Sequence, residues 1–261
     1  MPAKIYIAAI ALLSLTGLFS CQKVIHVDLN STAPRYVVEG NVTDQPGPYL
    51  VKITRSVNFD QNNSFPGVDG ATVVITDSNT NVVDTLTELL AGMYQTHLIT
   101  GVSGHTYKLS IKADGNVFNC TSTMPQQVVF DSVYTQPSLF NTNNQTAVAA
   151  FKDPVGTGNY YKLIEQVNDS ISENIYVYSD EISDGRELIG TMNRSIPIDS
   201  GNLVKVTLEC IDHGTYEYYF TLAQTIRQNT ASPANPQSNI TGGALGYFSA
   251  HTIQTKGVIA H

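Results

Sequence analysis

The amino-acid sequence predicts a mostly β protein in two parts, a β-sandwich followed by a second β-rich domain that carries one helix. From residue 35 onward, short stretches that alternate between apolar and polar residues are separated by clusters of Gly, Pro, Asn and Asp. Apolar residues at helical spacing occur in one place, near residues 216–228. The chain has 261 residues and is 42% hydrophobic, which is enough apolar material for a packed core and excludes a disordered chain.

The N-terminus has the features of a secretory signal peptide over residues 1–20. Lys4 supplies a positive charge, and the apolar run that follows it, residues 5–19, is shorter than the roughly 20 residues that a membrane-spanning helix needs. The run ends in Leu18-Phe19-Ser20-Cys21, which resembles the lipobox of bacterial lipoproteins. This resemblance implies cleavage before Cys21, acylation of that cysteine and a lipidated tether over residues 21–34. The alternative is a plain secretory peptide followed by an incidental cysteine.

The charge of the chain limits its partners. Its 14 Lys and Arg residues against 22 Asp and Glu residues give a net charge of −8, and the loss of Lys4 with the signal peptide makes it −9. This charge, without a run of Lys or Arg, opposes binding to nucleic acid or to anionic lipid head groups. Contact with a membrane is therefore expected through lipid on Cys21, and stable anchoring requires more than one acyl chain.

Residues 35–125 are predicted to form the first β-sandwich. The short strands recur at a spacing typical of sandwiches, and Asp114-Gly115 predicts a hairpin with a type I′ turn at residues 113–116. Glycines and tyrosines recur in the pattern Gly70-Ala71-Thr72-Val73, Gly92-x-Tyr94 and Gly104-x-x-Tyr107. This pattern resembles the transthyretin-like or carboxypeptidase-regulatory sandwich, which is immunoglobulin-like in architecture.

Residues 126–261 are predicted to form the second β-rich domain, because Pro125 ends the strand before it. Most of its stretches again alternate between apolar and polar residues. The helix near residues 216–228 is predicted with Thr215 as its N-cap. Its apolar positions lie on one face at helical spacing: Tyr216, Tyr219, Phe220, Ala223 and Ile226.

Two cysteines remain once Cys21 is assigned to lipid. Cys120 and Cys210 each lie in an alternating stretch, on the face that is predicted to be buried. Buried free thiols are common, and an envelope compartment also permits disulfides. Two separate buried thiols are the favoured interpretation, and one disulfide between them stays open.

No catalytic motif of the G-x-S-x-G, H-E-x-x-H, P-loop or G-x-G-x-x-G type is present. His213, which follows Asp212, is interpreted as part of a turn cap rather than of a catalytic pair. Several acidic residues could pair as in a glycosidase, but they are interpreted as solvated charges at strand edges: Glu165, Glu173, Asp180, Glu181 and Asp184. The sequence therefore predicts a non-enzymatic protein without a cofactor.

The strongest candidate for a metal site lies in the stretch DSNTNVVDTLTE. Four residues match positions 1, 3, 5 and 12 of a calcium loop, namely Asp77, Asn79, Asn81 and Glu88. Val82, however, stands where such a loop needs glycine for its sharp turn. The stretch is therefore predicted to be a hairpin with strands over residues 72–76 and 82–87, and no metal site is predicted.

Tyrosines offer a possible surface for sugars. The chain has 14 tyrosines and no tryptophan, and four of the tyrosines are close together in sequence: Tyr160, Tyr161, Tyr176 and Tyr178. Tyr176 and Tyr178 alternate along one strand, as core aromatic residues do. A core position is the favoured interpretation, and a ligand platform is the alternative.

Three segments together resemble a known family. They are YVVEGNVTDQPGPYLVKITRS, LECID…YEYYFTL and the ending PANPQSNITGGALGYFSAHT. The chain is similar, over nearly its whole mature length, to the Bacteroidota envelope lipoprotein family catalogued as domain of unknown function 4249. The resemblance implies an outer-membrane-associated, lipid-anchored protein of two β-rich parts, often connected with TonB-dependent transporters. Because the residues after Cys21 lack the acidic cluster usual for surface export, both the cell surface and the periplasmic face stay open.

The segment SNITGGALGYF, residues 238–248, is the candidate site for partner docking. It is interpreted either as a structural segment that passes under the helix and caps the second sheet, or as a docking ridge in which Ile240 and Leu245 stay partly exposed. The candidate docking residues are Ile240, Gly242, Gly243, Leu245, Tyr247 and Phe248. The leading hypothesis is a non-enzymatic lipoprotein that is an accessory or partner of an outer-membrane (TonB-dependent) transporter. The alternative is a surface module that binds glycans or peptides or acts in adhesion.

Overall fold

The computed structural model describes residues 33–58, 61–62, 64–138, 144–193, 197–226 and 235–261. The signal peptide, Cys21 and most of the tether that the sequence predicts lie outside these residues. In the described part of the chain, sixteen strands and one helix form, and they are numbered here in chain order.

The largest sheet has nine strands. They are β1 (Tyr36–Thr43), β2 (Leu50–Arg55), β5 (Thr87–Leu90), β6 (Met93–Gln95), β11 (Tyr160–Val167), β12 (Ser170–Ile171), β13 (Tyr176–Ser179), β15 (Leu203–Ile211) and β16 (Leu245–Ile259). Their order is β12-β11-β15-β16-β1-β2-β6-β5, and β13 also pairs with β11.

Two smaller sheets complete the β structure. One has the order β4-β3-β7-β8 and is built from β3 (Thr72–Asp77), β4 (Val83–Thr85), β7 (Thr106–Ala113) and β8 (Asn116–Thr123). The other has the order β14-β10-β9 and is built from β9 (Phe130–Pro137), β10 (Gln145–Lys152) and β14 (Glu187–Met192).

Alternation along the strands produces two hydrophobic clusters on one face of the long sheet. In β1, Val38 and Val42 face the first cluster and pack with residues of the four-stranded sheet such as Ile75 and Ile111. In β15, Val206 and Leu208 face the second cluster, together with Phe151 and other residues of the three-stranded sheet. Two sandwiches therefore share the long sheet as a common wall, and the predicted mostly β fold is confirmed.

Strand β16 belongs to both sandwiches. Residues 245–251 pair in parallel with β1, and residues 252–259 pair antiparallel with β15. Phe248 and Ala250 therefore lie in the first cluster, although the sequence places them in the second domain, residues 126–261. The alternating pattern of β16 identifies a strand but not its partner, and β1 lies about 200 residues earlier in the chain.

The predicted strand over residues 82–87 is two strands in different sheets. β4 pairs with β3 and confirms the predicted hairpin, whereas β5 pairs with β6 in the long sheet. Leu86 lies between them, is buried, and donates its backbone N–H to Val73 O at 2.9 Å. The hairpin predicted at residues 113–116 is also present, with positive φ at Asp114 and Gly115 as its turn requires.

Helix α1 (His213–Ile226) lies on the opposite face of the long sheet. There the Tyr247 ring contacts the rings of Tyr218 and Tyr219, at centroid distances of 4.9 and 5.1 Å. The helix begins three residues before its predicted start, and its predicted last residues, 227 and 228, lie outside the described part of the chain. No helix among the described residues is long and apolar enough to span a membrane.

The N-cap of α1 is Asp212 rather than Thr215. Asp212 Oδ1 accepts the N–H of Thr215 at 2.9 Å, and the Asp212 carbonyl accepts the N–H of Tyr216 at 2.9 Å. The apolar pattern begins only at Tyr216, because His213 and Gly214 occupy the first turn. Because the predicted cap is taken from the start of the apolar pattern, it lies three residues after the actual cap, Asp212.

Cys120 and Cys210 are two separate buried free thiols, which confirms the favoured interpretation. Burial raises the pKa of the Cys120 thiol to about 12, and its Sγ lies 3.2 Å from the carbonyl oxygen of Asn239. Burial also raises the pKa of the Cys210 thiol. Both side chains contribute to the hydrophobic clusters.

Candidate functional site

The candidate docking segment, residues 238–248, does not form an exposed ridge. Ile240 and Phe248 are buried in the first hydrophobic cluster, and Thr241 forms a β-bridge with Asn119 of β8. This part of the docking interpretation is corrected by the structure. Ile240, which the docking interpretation leaves partly exposed, instead helps to close the edge of the first sandwich. The structural interpretation is corrected as well, because the segment packs on this sandwich and does not cap the second sheet.

The other candidate docking residues also serve the fold. Gly242 has φ of 92°, and a Cβ there would lie 2.3 Å from the carbonyl oxygen of Val117, so β8 approaches this backbone too closely for a side chain. Gly243 has φ of 90°, and its carbonyl accepts the Arg35 guanidinium at 2.9 Å. Tyr247 lies beneath α1, and Leu245 is half-buried at the start of β16.

The stretch around Asp77 has the contacts of a turn. Asp77 accepts hydrogen bonds from Asn79 N at 2.9 Å, Thr80 Oγ1 at 2.8 Å and His105 Nδ1 at 2.8 Å. Burial raises the pKa of the Asp77 carboxyl, but these hydrogen bonds outweigh burial, so the pKa lies below its ordinary value. Glu88 accepts the N–H of Gly70 at 2.9 Å, away from this turn.

Three carboxylates, of which two are close in sequence and one is distant, form an acidic cluster. Oxygens of Asp153, Asp180 and Asp184 lie within 4.8 Å of one another, where β10 ends and in the loop after β13. Asp180 and Glu165 are buried, so their interpretation as solvated edge charges is wrong. Asp153 carries no motif, and only the folded chain brings it to the loop of Asp180.

The acidic cluster holds two loops together. Asp153 accepts hydrogen bonds from the Tyr161 hydroxyl and from Gly185 N, the latter at 3.0 Å. Asp180 accepts the backbone N–H groups of Gly158 and Asn159, both at 3.0 Å. Burial raises the pKa of the Asp180 carboxyl, but the hydrogen bonds have the larger combined effect, so the pKa lies below its ordinary value. Carboxylates are the ligands that a hard cation such as Ca²⁺ prefers. Here the two buried carboxylates, Asp153 and Asp180, already accept hydrogen bonds from the chain.

A cleft of about 660 Å³ lies beside the acidic cluster. Its apolar side is formed by Val128, Val129, Pro154 and Val155, and Lys152 and Asp131 add charges at its edge. Val129 and Val155 are exposed. The cleft has the size of a ligand site, about 300–1,000 Å³, and its described lining residues include no Ser, Thr, Cys or His.

A row of polar side chains is buried beneath helix α1. Ser249 Oγ lies 3.0 Å from His251 Nδ1, and His251 Nε2 lies 3.7 Å from a carboxylate oxygen of Glu209. The other carboxylate oxygen of Glu209 accepts Lys162 Nζ at 2.9 Å, and this ammonium lies over the Tyr219 ring. Burial lowers the pKa of His251, although Glu209 opposes the shift. We name these residues, Ser249, His251, Glu209 and Lys162, the polar row.

In the polar row, a serine contacts a histidine and the histidine contacts a carboxylate, as in a catalytic triad, but the row is closed to solvent. Ser249 is 1% exposed and His251 is 5% exposed, so a substrate has no path to either. Pattern reading of the sequence missed this row. Ser249 and His251 are two apart in one strand, which identifies a shared face, but Glu209 and Lys162 come from neighbouring strands.

The tyrosines named as possible sugar platforms fall into two groups. Tyr161 and Tyr176 are buried in the second hydrophobic cluster, as the core interpretation predicts. Tyr178 packs against that cluster and is only half-buried. Tyr160 lies on the other face of β11, where its ring contacts those of His213 and Tyr216 at 5.1 and 4.9 Å.

Comparison with solved structures gives distant likenesses. A segment of two fibronectin type III domains from chicken tenascin is 11% identical with a TM-score of 0.22, over 68% of this chain and 90% of that one. A DUF4785 family protein from Legionella pneumophila is 11% identical with a TM-score of 0.27, over 69% of this chain and 53% of that one.

Among curated proteins, none matches this chain. A family model described as "Domain of unknown function (DUF4249)" matches residues 22–257, which is nearly the whole chain after the predicted signal peptide. The chain belongs to this DUF4249 family.

Proposed function

We propose that this chain is a non-enzymatic lipoprotein of the outer membrane, anchored by lipid on Cys21, that is an accessory or partner of a TonB-dependent transporter. The proposal includes an origin in Bacteroidota, as the family resemblance implies. The protein faces either the cell surface or the periplasm.

The observation that carries the anchor is the position of Cys21 relative to the first strand. The lipobox-like Leu18-Phe19-Ser20-Cys21 ends fifteen residues before Tyr36, where β1 begins. A chain of that length spans at most about 50 Å when fully extended, at 3.3–3.6 Å per residue. Lipid on Cys21 would therefore keep both sandwiches close to the bilayer, within reach of the periplasmic or extracellular loops of a membrane protein.

The buried polar row supports the non-enzymatic part of the proposal. A serine, a histidine and a carboxylate in contact are the groups that acyl-transfer enzymes use, and such enzymes present them to substrate. Here helix α1 covers them. Within the row, Glu209 accepts Lys162 Nζ at 2.9 Å and the Ser249 hydroxyl lies 3.0 Å from His251 Nδ1, which is the arrangement of a structural network.

The anchor is tested by Cys21→Ala in the native cell. We expect the variant to leave the membrane fraction or to stay unprocessed, while the wild type resists extraction by carbonate and high salt. A variant that still fractionates with membrane after both washes contradicts the anchor. Protease added to intact cells then separates the two orientations, because only a surface-facing protein is degraded.

The partner is tested by affinity purification of the tagged protein from envelope solubilised in mild detergent. We expect one outer-membrane transporter to co-purify in near-equal amount. A tagged, unrelated lipoprotein of similar abundance is the control. Recovery of the protein alone, or of the same transporter with the control, contradicts the partner role and leaves the anchor result unaffected.

A further inference from the structure

A groove of about 330 Å³ lies between α1 and the edges of β13 and β14. β13 pairs with β11 on one side, and the groove runs along its other side. One wall is the face of α1 that carries Phe220, Ala223 and Gln224, and the opposite wall is formed by Thr191 and Asn193. The volume falls within the range of ligand sites, about 300–1,000 Å³.

An aromatic ring stands open in this groove. Phe220 is 43% exposed, and its ring stacks on that of Tyr216 at 5.6 Å with an angle of 22° between the planes. Tyr216 in turn contacts Tyr160 of β11 at 4.9 Å. This stack of three rings fixes the orientation of Phe220 before any ligand arrives, which reduces the entropy that binding removes. The outcome is a flat, preorganised apolar platform.

The polar groups of the groove are carboxamides and hydroxyls. The carboxamides belong to Asn174, Asn193 and Gln224. The Tyr176 hydroxyl and the Asn174 carboxamide both donate to the Asn193 carbonyl, at 2.6 and 3.2 Å, and thereby join the end of β14 to β13. A carboxamide offers two donors and an acceptor on one plane, which suits a ligand whose hydroxyls both donate and accept.

The groove carries no ionised side chain among its described lining residues. A charged ligand would lose hydration there without gaining a partner charge, which is unfavourable. A purely apolar ligand would displace water from the Asn193 and Gln224 carboxamides without replacing its hydrogen bonds. A neutral ligand with many hydroxyls and an apolar face avoids both costs.

We propose that this groove binds a neutral oligosaccharide, with the face of one sugar ring against Phe220 and the hydroxyls bonded to Asn174, Asn193 and Gln224. This inference does not rest on the role as a transporter partner. It assigns a ligand class to a surface that the docking segment does not include.

The test is calorimetric titration of the purified full chain in a detergent without sugar groups, such as an amine oxide. The probes are cellohexaose, maltohexaose, laminarihexaose, mannohexaose and xylohexaose. We expect at least one to bind and Phe220→Ala to weaken that binding by about tenfold, which is the scale of losing one aromatic contact. Gln224→Ala should weaken it as well, with an unchanged melting temperature.

Ile226→Ala is the matched control, because Ile226 lies on the same helix, is 59% exposed and does not line the groove. It should bind like the wild type. Failure of all five probes at millimolar concentration, or equal binding by Phe220→Ala, overturns the proposal. An extended Thr/Val peptide is titrated in parallel. Binding of the peptide alone overturns the proposal in favour of strand addition at the open edge of β13.

Discussion

The Ser122 hydroxyl donates a hydrogen bond to the Asp212 carboxylate at 2.6 Å and thereby joins β8 of the first sandwich to the start of α1. Ser122 Oγ also accepts the N–H of Ala250 in β16, at 2.8 Å. The other Asp212 oxygen caps the helix at Thr215. One half-buried carboxylate therefore holds a helix terminus, a strand of the four-stranded sheet and, through Ser122, the shared strand.

We predict that Asp212→Ala lowers the free energy of unfolding by about 1–3 kcal/mol. The change removes a helix cap and leaves the buried Ser122 hydroxyl without its acceptor. Urea denaturation followed by circular dichroism measures the loss. Asp199→Ala, at an exposed loop residue, is the matched control and should lie within about 0.5 kcal/mol of wild type. Equal stability of the two variants contradicts the role of Asp212.

The polar row predicts a loss of stability in mild acid. Burial is the largest cause of the lowered pKa of His251, and Lys162 adds to it. Because the folded-state pKa lies below the ordinary value of 6.5, the unfolded chain takes up the proton first. This contribution to stability is therefore complete above pH 6.5 and declines as the pH falls below it, by up to about 1.4 kcal/mol per pH unit for one proton.

Urea denaturation at pH values between 7.5 and 5.5 measures this slope. His251→Gln should reduce the slope over this range, even if the variant is less stable at every pH. Ser249→Ala removes the hydroxyl that contacts the imidazole but keeps the titrating group, so it should retain the wild-type slope. An unchanged slope in His251→Gln would show that other groups cause the acid sensitivity.

The buried thiols predict slow reaction with a thiol reagent. Cys120 and Cys210 are both buried, and burial raises the pKa of each thiol, so little thiolate is present and access is blocked. With Ellman's reagent at pH 8, we expect no colour from the folded Cys21→Ala chain, which keeps only Cys120 and Cys210, and two equivalents in guanidinium. Cys120→Ser should reduce the denatured value to one. Fast reaction of the folded chain would contradict the burial of these side chains.

Local pattern predicted most of the fold and little of the candidate sites. Alternation identified the strands around Val38, Ile111 and Leu208, because each strand has one buried face whatever its partner. Alternation cannot name that partner. The parallel pairing of β1 with β16 and the meeting of Asp153 with Asp180 depend on contacts between distant parts of the chain.

Substitutions at two neighbouring glycines test whether residues 238–248 have a structural role. Gly242 and Gly243 both have φ near 90°, a conformation that costs an alanine about 1–2 kcal/mol. A Cβ on Gly242 would lie 2.3 Å from Val117 O, whereas a Cβ on Gly243 would have nothing within 4 Å. Gly243→Ala should therefore lose only the backbone term, and Gly242→Ala should lose a further ~1–3 kcal/mol from overpacking.

The difference between these two variants isolates the close approach of β8, because the backbone term is common to both. Urea denaturation measures it directly. A clearly less stable Gly242→Ala indicates that the segment is held against Val117 in the folded chain, with Ile240 buried beside it. If the two variants are equally stable, the segment is not held against β8 in solution. Ile240 and Leu245 would then be free to meet a partner, as the docking interpretation requires.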